Sequence, residues 1–367
     1  MFRSERWRHF DFWLLGAVFL ALVFGVAMIR SAIGCNLSLA GLVQRQMIYA
    51  GLGFLVILLV ALIDYRFWGG AIIPMYAVII GFLLILYLTA GQRFGAARWI
   101  ETGLVSIQPT ELAKIVIILA LASFFAKNVH VPHKWGWMTK SLLIAAGIAG
   151  LIFIQPNLSN VVVILVIWGL MVWVSGLELK ELGILASVGL VLAVLAFFFV
   201  IEDYQRARIT TFLFPDPNAR HGATYNVLQA AIALGSGGLS GKGWGQGTQT
   251  QLCFMKVRHT DFIFSVVGEE FGFIGAVLVL LLLGFIVYRC LRAARLARDP
   301  FGSMIAFGVA VLIFFQGAVN IAVNLNLIPV TGLPLPFISY GGSGLLSMML
   351  GIGLVESVIL RHKQLDF

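Results

Sequence analysis

Ten runs of predominantly apolar residues, each near the roughly 20 needed to cross a hydrocarbon core as a helix, dominate this chain. They fall at 12–31, 46–63, 71–90, 110–126, 140–155, 158–175, 183–201, 262–288, 303–325 and 343–360. Lipid offers no partner for backbone N–H and C=O groups, so a spanning segment must be a helix or part of a closed barrel. These runs are too long for barrel strands of about 9–11 residues. The expected fold is an all-α polytopic bundle of about ten transmembrane helices, one membrane domain over residues 1–367. Only 11% of the residues are charged, against about 25% in soluble domains. The run 12–29 exceeds the roughly 7–15 residues of a signal-peptide core and reads as a retained first span. Gln155-Pro156-Asn157 separates the fifth and sixth runs, because proline lacks a donor and disfavours helix at the residue before it.

The formal net charge is +9. The basic residues sit between the apolar runs, which speaks for topology and anionic headgroups rather than nucleic acid. With the N-terminus inside, the cytoplasmic segments hold 14 Lys and Arg, among them Arg3, Arg6, Arg8 and Lys363. The short outer segments hold 4: Arg30, Arg45, Arg93 and Arg98. That excess puts both termini in the cytoplasm. Residues 202–261 then form one long extracytoplasmic loop between spans seven and eight. It carries Pro215, Pro217, a glycine-rich stretch at 235–243 and a possible amphipathic helix at 225–234. Of the three cysteines, Cys35 and Cys253 fall outside and Cys290 inside. Three cysteines make no framework, so a Cys35–Cys253 bridge is allowed but not expected. No zinc-type spacing occurs.

Ionisable residues within spans normally face a cavity or a partner. Asp261, Ser265 and Glu269 are four apart at the start of the eighth run, on one face of a helix. Asp261 reads either as a general base at the outer surface or as a helix N-cap. In a continuous helix Glu269 lies roughly 12 Å deeper, which favours a structural polar network for Glu269 and Glu270. Glu111 and Lys114, three apart at the start of the fourth run, read as a structural ion pair or as cavity-lining groups with Lys114 meeting an anionic substrate. Gln316, Asn320 and Asn324 form a polar stripe, which interhelical packing explains. The breaker-rich segment 328–343 reads as a cavity mouth.

Four motifs together resemble the SEDS family (shape, elongation, division and sporulation proteins) over essentially the whole chain. They are Ser106-Ile107-Gln108-Pro109-Thr110-Glu111-Leu112-Ala113-Lys114, Gly235-Ser236-Gly237-Gly238, His259-Thr260-Asp261-Phe262-Ile263-Phe264 and Pro334-Leu335-Pro336-Phe337-Ile338-Ser339-Tyr340-Gly341-Gly342-Ser343. Gly247-Thr248-Gln249-Thr250-Gln251 resembles the elongation branch. The resemblance implies a peptidoglycan glycosyltransferase that joins lipid II units and releases undecaprenyl pyrophosphate, with a class B penicillin-binding protein as partner. It implies that Asp261 is the essential acidic residue, that Glu111 and Lys114 line the central cavity, and more loosely that Arg45 lies near it. The chain departs from the pattern at Asn157 and Ser159, where the family usually has Asp and Gly, and at Lys256-Val257 before the His-Thr-Asp motif. Asn157 replaces a cavity carboxylate with an amide and weakens the case for a second carboxylate as metal ligand. A divalent cation such as magnesium stays open as cofactor, and no protein metal site is expected.

The chemistry that the resemblance implies is an inverting transfer, for which one positioned base suffices. Arg and Lys would stabilise the leaving pyrophosphate, with Lys114, Arg206, Arg208, Lys242 and Arg258 as candidates. Arg258 and His259 flank Asp261 and are expected to keep it ionised. Two other readings are a lipid II flippase, which needs charges through the full membrane depth, and a non-catalytic scaffold for the penicillin-binding protein, which needs no Asp261. The topology predicts that a reporter fused after Phe367 reads cytoplasmic and one inserted near Asn218 reads external. Exchanged signals would refute the charge-based orientation.

Overall fold

The computed structural model describes residues 10–90, 100–101, 106–129, 135–199, 201–215 and 222–362. Arg3, Arg6, Arg8, Arg93, Arg98, Pro217, Asn218, Lys363 and Phe367 lie outside them. Nine described helices are long and apolar enough to cross a membrane. They are α1 (Phe12–Ala32), α2 (Gly41–Leu62), α3 (Tyr65–Ala90), α4 (Pro109–Lys127), α5 (Trp135–Ile154), α7 (Leu179–Phe199), α11 (Ile263–Leu296), α12 (Pro300–Asn324) and α13 (Gly342–Ile359). The tenth span is α6 (Leu158–Val174), 17 residues long, at the lower limit of about 17–25. The long segment after α7 is not structureless. It holds α8 (Asp203–Leu213), α9 (Gly222–Ser236), which covers the expected amphipathic stretch, and the short α10 (Thr248–Gln251). The one strand pairing among the described residues joins β1 (Ile100–Glu101) to β2 (Ser106–Ile107).

α4 and α13 are mostly buried and, with α12, form the centre of the bundle. α7 stands at the periphery, with α6 as its main contact. Helix α3 starts six residues before its apolar run. Its first turn is anchored by Tyr65 Oη on Asp299 at 2.7 Å and by Arg66, whose Nε and Nη2 reach the same carboxylate at 2.9 and 2.8 Å. Arg289 pairs with Asp11, which caps α1, at 2.5 Å, and Arg361 pairs with Asp64 at 3.3 Å. These ties all lie at the bundle end that carries the start of α1.

The eighth span is not one continuous helix. Gly272 sits at φ 65°, ψ −159° and breaks α11 after nine residues. That conformation is essentially restricted to glycine. The break frees backbone groups, and the glycine-rich stretch satisfies them. Phe273 and Ile274 N–H donate to the Gly238 and Leu239 carbonyls at 2.9 and 3.1 Å. Lys242 and Gly243 N–H donate to the Glu269 and Glu270 carbonyls at 3.0 and 2.9 Å. A side chain at Gly237 or Gly241 would collide with the Gly268 or Glu270 carbonyl.

Glu269 lies three residues before the break, where the glycine-rich loop meets α11. Its carboxylate accepts from Gln249 N–H (2.8 Å), Thr250 N–H (3.1 Å), Thr250 Oγ1 (2.8 Å) and Lys242 Nζ (3.0 Å). It is structural, as expected, but as the anchor of the loop.

The cysteine expectation is overturned: Cys35 and Cys253 form a disulfide. The folding of 202–261 back onto the end of α1 brings together two residues 218 apart in sequence.

Gly272→Ala would place an alanine in a glycine-only region, at about 1–3 kcal/mol, and press its Cβ on Gly241 N and Leu239 O. A clear fall in the thermal midpoint of the detergent-solubilised protein is expected. An unchanged midpoint would contradict this account of the break.

Candidate active site

Asp261 lies in a tight turn before α11, not at its cap. Thr260, Asp261 and Phe262 N–H all point to the Val257 carbonyl, at 3.3, 3.2 and 3.4 Å. The N-cap position belongs to Phe262, so the capping reading of Asp261 fails. The turn's carbonyls are held in succession. Tyr340 N–H donates to His259 O at 2.9 Å, and Ser339 Oγ donates to Thr260 O at 2.6 Å. Asn320 Nδ2 and Asn324 Nδ2 donate to Asp261 O at 3.0 and 2.9 Å. The carboxyl is left half-buried beside Gly332. Burial pushes its pKa above the usual carboxylate range, and the charge of Arg208 and a hydrogen bond from Thr260 pull it partly back.

The basic candidates divide sharply. Arg208, on α8, is the cation that acts on Asp261. It also lines an apolar cleft of about 250 Å³ between α8, α9 and 326–330. Arg45, on α2, is exposed and hydrogen-bonds Tyr340, the residue that clamps His259 O. The other three are occupied structurally. Arg206 spreads over the Phe197, Phe198 and Ile201 carbonyls at the end of α7, at 3.3–3.4 Å. Lys242 pairs with Glu269. Arg258 is 3% exposed, with its guanidinium on Ala32 O, on Met255 O at 2.6 Å and on both disulfide sulfurs. The expectation that Arg258 and His259 keep Asp261 ionised is corrected. Arg258 is spent on the disulfide corner, and burial, then Arg258, lowers the His259 pKa so that its ring is neutral near pH 7.

Glu111 and Lys114 lie behind the 334–341 loop. Lys114 Nζ sits 2.7 Å from Glu111 Oε1, and both residues are buried. Glu111 shares a small enclosed pocket with Gln316 and Ser339, so Ser339 bridges the pair's pocket and the Asp261 turn. In this conformation Lys114, at 0% exposure, does not face the open rim. Asn157 occupies the N-cap position of α6, makes no capping side-chain hydrogen bond and is buried. Beside it Ser159 Oγ donates to Thr331 O at 2.6 Å. Among the described residues no three His, Cys, Asp or Glu side chains converge. A cation at Asp261 would therefore need substrate oxygens to complete its shell.

The family of cell cycle proteins that unites FtsW, RodA and SpoVE matches residues 12–364. The chain belongs to that family. Escherichia coli MrdB, a peptidoglycan glycosyltransferase, is 34% identical over 358 residues, covering 98% of this chain and 95% of MrdB. A probable peptidoglycan glycosyltransferase FtsW of Geobacter metallireducens is 36% identical over 363 residues, covering 95% of this chain and 94% of its own length. Among solved structures, a chain described under the structural coordination of polymerization and crosslinking by a peptidoglycan synthase complex matches at a TM-score of 0.81 and 29% identity. It covers 97% of this chain and 99% of its own length. Thermus thermophilus rod shape determining protein RodA matches at 0.72 and 29%, covering 97% and 98%. The chain is thus a multi-pass membrane member of the FtsW/RodA/SpoVE family.

Sequence reasoning gave this family member's polar stripe to packing. Asn324 does bond across to Ser265 of α11, and beyond that Asn320 and Asn324 grip the Asp261 carbonyl, a role for which the four-residue spacing of Gln316, Asn320 and Asn324 was the only available signal.

The Glu111–Lys114 pair should be energetically coupled. Removing one partner strands a buried charge, costing about 3–5 kcal/mol, so Glu111→Gln with Lys114→Met should fold better than either single variant. Three equally stable, inactive variants would make the pair's role functional rather than structural.

Proposed function

We propose that the chain is a peptidoglycan glycosyltransferase in which Asp261 is the general base. The acceptor hydroxyl of lipid II attacks the anomeric carbon of the undecaprenyl-pyrophosphate-linked strand. The new glycosidic C–O bond forms as the anomeric C–O bond to phosphate breaks, with inversion. The hydroxyl proton passes to Asp261, and undecaprenyl pyrophosphate departs with the bond electrons. A positioned base is worth typically 10²–10⁴-fold. The observation that carries this reading is the half-buried Asp261 carboxyl, its pKa raised by burial, on a turn whose carbonyls are all held while the carboxyl itself caps nothing. Arg208 meets the leaving pyrophosphate, and Arg45 stands on the rim for a second anionic group. Glu111, Lys114 and Asn157 shape the cavity behind the turn. Lys242, Arg206 and Arg258 are reassigned to holding the scaffold.

We assign this turn to the extracytoplasmic face and both termini to the cytoplasm. The Lys and Arg excess supports that orientation, and so does the disulfide at the turn's own end of the bundle, since disulfides persist in oxidising compartments. The role in elongation and rod shape rests on likeness to MrdB and RodA. Similarity to a chain of a peptidoglycan synthase complex supports a class B penicillin-binding protein as crosslinking partner. Flippase and scaffold readings have less behind them. Glu111 and Lys114 neutralise each other, and a scaffold has no use for a freed carboxylate.

Purified protein with its partner, given labelled lipid II, should form glycan chains. Asp261→Asn should insert and bind the partner normally yet polymerise at least about 10²-fold more slowly. Wild-type activity should fall on acidification at a pH above the ordinary carboxylate range, since protonated Asp261 cannot accept a proton. Near wild-type polymerisation by Asp261→Asn would move the base elsewhere.

A further inference from the structure

An aspartate just before an apolar helix ordinarily turns its carboxylate back onto the helix's free N–H groups. At Asp261 that does not happen, and the reason lies 63 residues away. Asn324, at the end of α12, accepts from Ser265 N–H at 2.9 Å and from Ser265 Oγ at 2.7 Å. Ser265 is the third helical residue of α11, the position a capping side chain serves, and its N–H also reaches Phe262 O at 3.1 Å. The same amide donates through Nδ2 to Asp261 O at 2.9 Å and to Asn320 O at 2.8 Å. Asn320 donates to Asp261 O and, at 2.8 Å, to Leu333 O. Ser265 is 0% exposed, and Asn320 and Asn324 are each 1%. One buried amide therefore closes the helix start with its oxygen and holds the preceding turn with its nitrogen.

We propose that Asn324 is a positioning residue for glycosyl transfer: it caps α11 from α12 and so leaves the Asp261 carboxylate free for the acceptor hydroxyl. The inference rests on Asp261 being the base. Among titratable groups, Arg208 from α8 acts on that carboxylate; Arg258 and His259 share its turn, Tyr340 from the loop before α13 holds the His259 carbonyl, and Arg45 of α2 and Tyr49 act on Tyr340. None of them supplies the α11 cap. Without the Asn324 oxygen, Ser265 N–H keeps only its 3.1 Å contact with Phe262 O, and Asp261, one residue before the N-cap, offers it a flexible second acceptor. A carboxylate that accepts backbone N–H bonds is stabilised in its charged form.

The test is the pH dependence of lipid II polymerisation by the purified complex. Asn324→Ala should lower kcat by about tenfold or more, since displacements near 1 Å can cost up to about 10²-fold. It should leave KM within about twofold and move the acid limb to lower pH. Asn324→Asp keeps an acceptor on Ser265 but sets a second negative charge beside Asp261, so its acid limb should move to higher pH. A thermal double-mutant cycle reads the capping exchange without reference to catalysis. Asp261→Ala should be costlier in the Asn324→Ala background than alone, by more than about 2 °C in midpoint. If Asn324→Ala yields no folded protein, the same cycle is run in Asn324→Ser. Opposed limb shifts with a non-additive cycle support the proposal. An additive cycle overturns it, as do acid limbs that stay where the wild type has them. Should Asp261→Asn keep polymerising, the assignment of the base fails by itself, and the cycle still decides whether Asn324 supplies the cap.

Discussion

The rest of the structure depends on how the break at Gly272 is healed. In a membrane protein an interrupted helix exposes backbone donors and acceptors that lipid cannot satisfy. Here four hydrogen bonds to 238–243 replace the missing ladder, and glycines at 237 and 241 allow the two backbones to touch. Glu269 then gathers the far side of the loop, through Gln249, Thr250 and Lys242. The loop is therefore an inserted part of α11. Its next residues run directly into the disulfide corner and the Asp261 turn, so the helix break and the candidate base share one rigid piece of chain.

That piece is fastened on two opposed sides. Arg258 and the disulfide tie it to the end of α1. Asn320, Asn324, Ser339 and Tyr340 tie it to α12 and the loop before α13. The fastening uses main-chain carbonyls almost throughout, which spares the carboxylate of the proposed base. Its half-buried setting favours the neutral form, while Arg208 favours the charged one. A carboxylate balanced in this way holds a proton better than a solvated aspartate would.

The spans were legible because a 20-residue apolar run has few alternatives. Family motifs located Asp261, Glu111 and Lys114. What escaped was every arrangement that joins distant segments. Gly272, with Gly268 and Gly275 nearby, reads as part of a packing face, and its partner loop lies some thirty residues upstream. Asp261 before Phe262-Ile263-Phe264 looks like a cap because the true acceptor, Asn324, belongs to another helix. Arg258, next to His259 and three residues from Asp261, looks like a substrate ligand until its direction is known. Charge in a sequence has position but no heading.

The Cys35–Cys253 bridge sets an order of events in biogenesis. Cys35 follows the first span, and its partner is made 218 residues later, after α2 to α7 have been synthesised. At roughly 5–20 residues per second, the first thiol waits on the order of ten seconds or more with its proper partner not yet made. Closure therefore acts as a late seal, joining the end of α1 to the loop after α7 only once the chain between them has been made. A chain that failed to thread one of those spans would hold Cys253 across the membrane from Cys35 and could not close the ring, so the bond would double as a record of assembly.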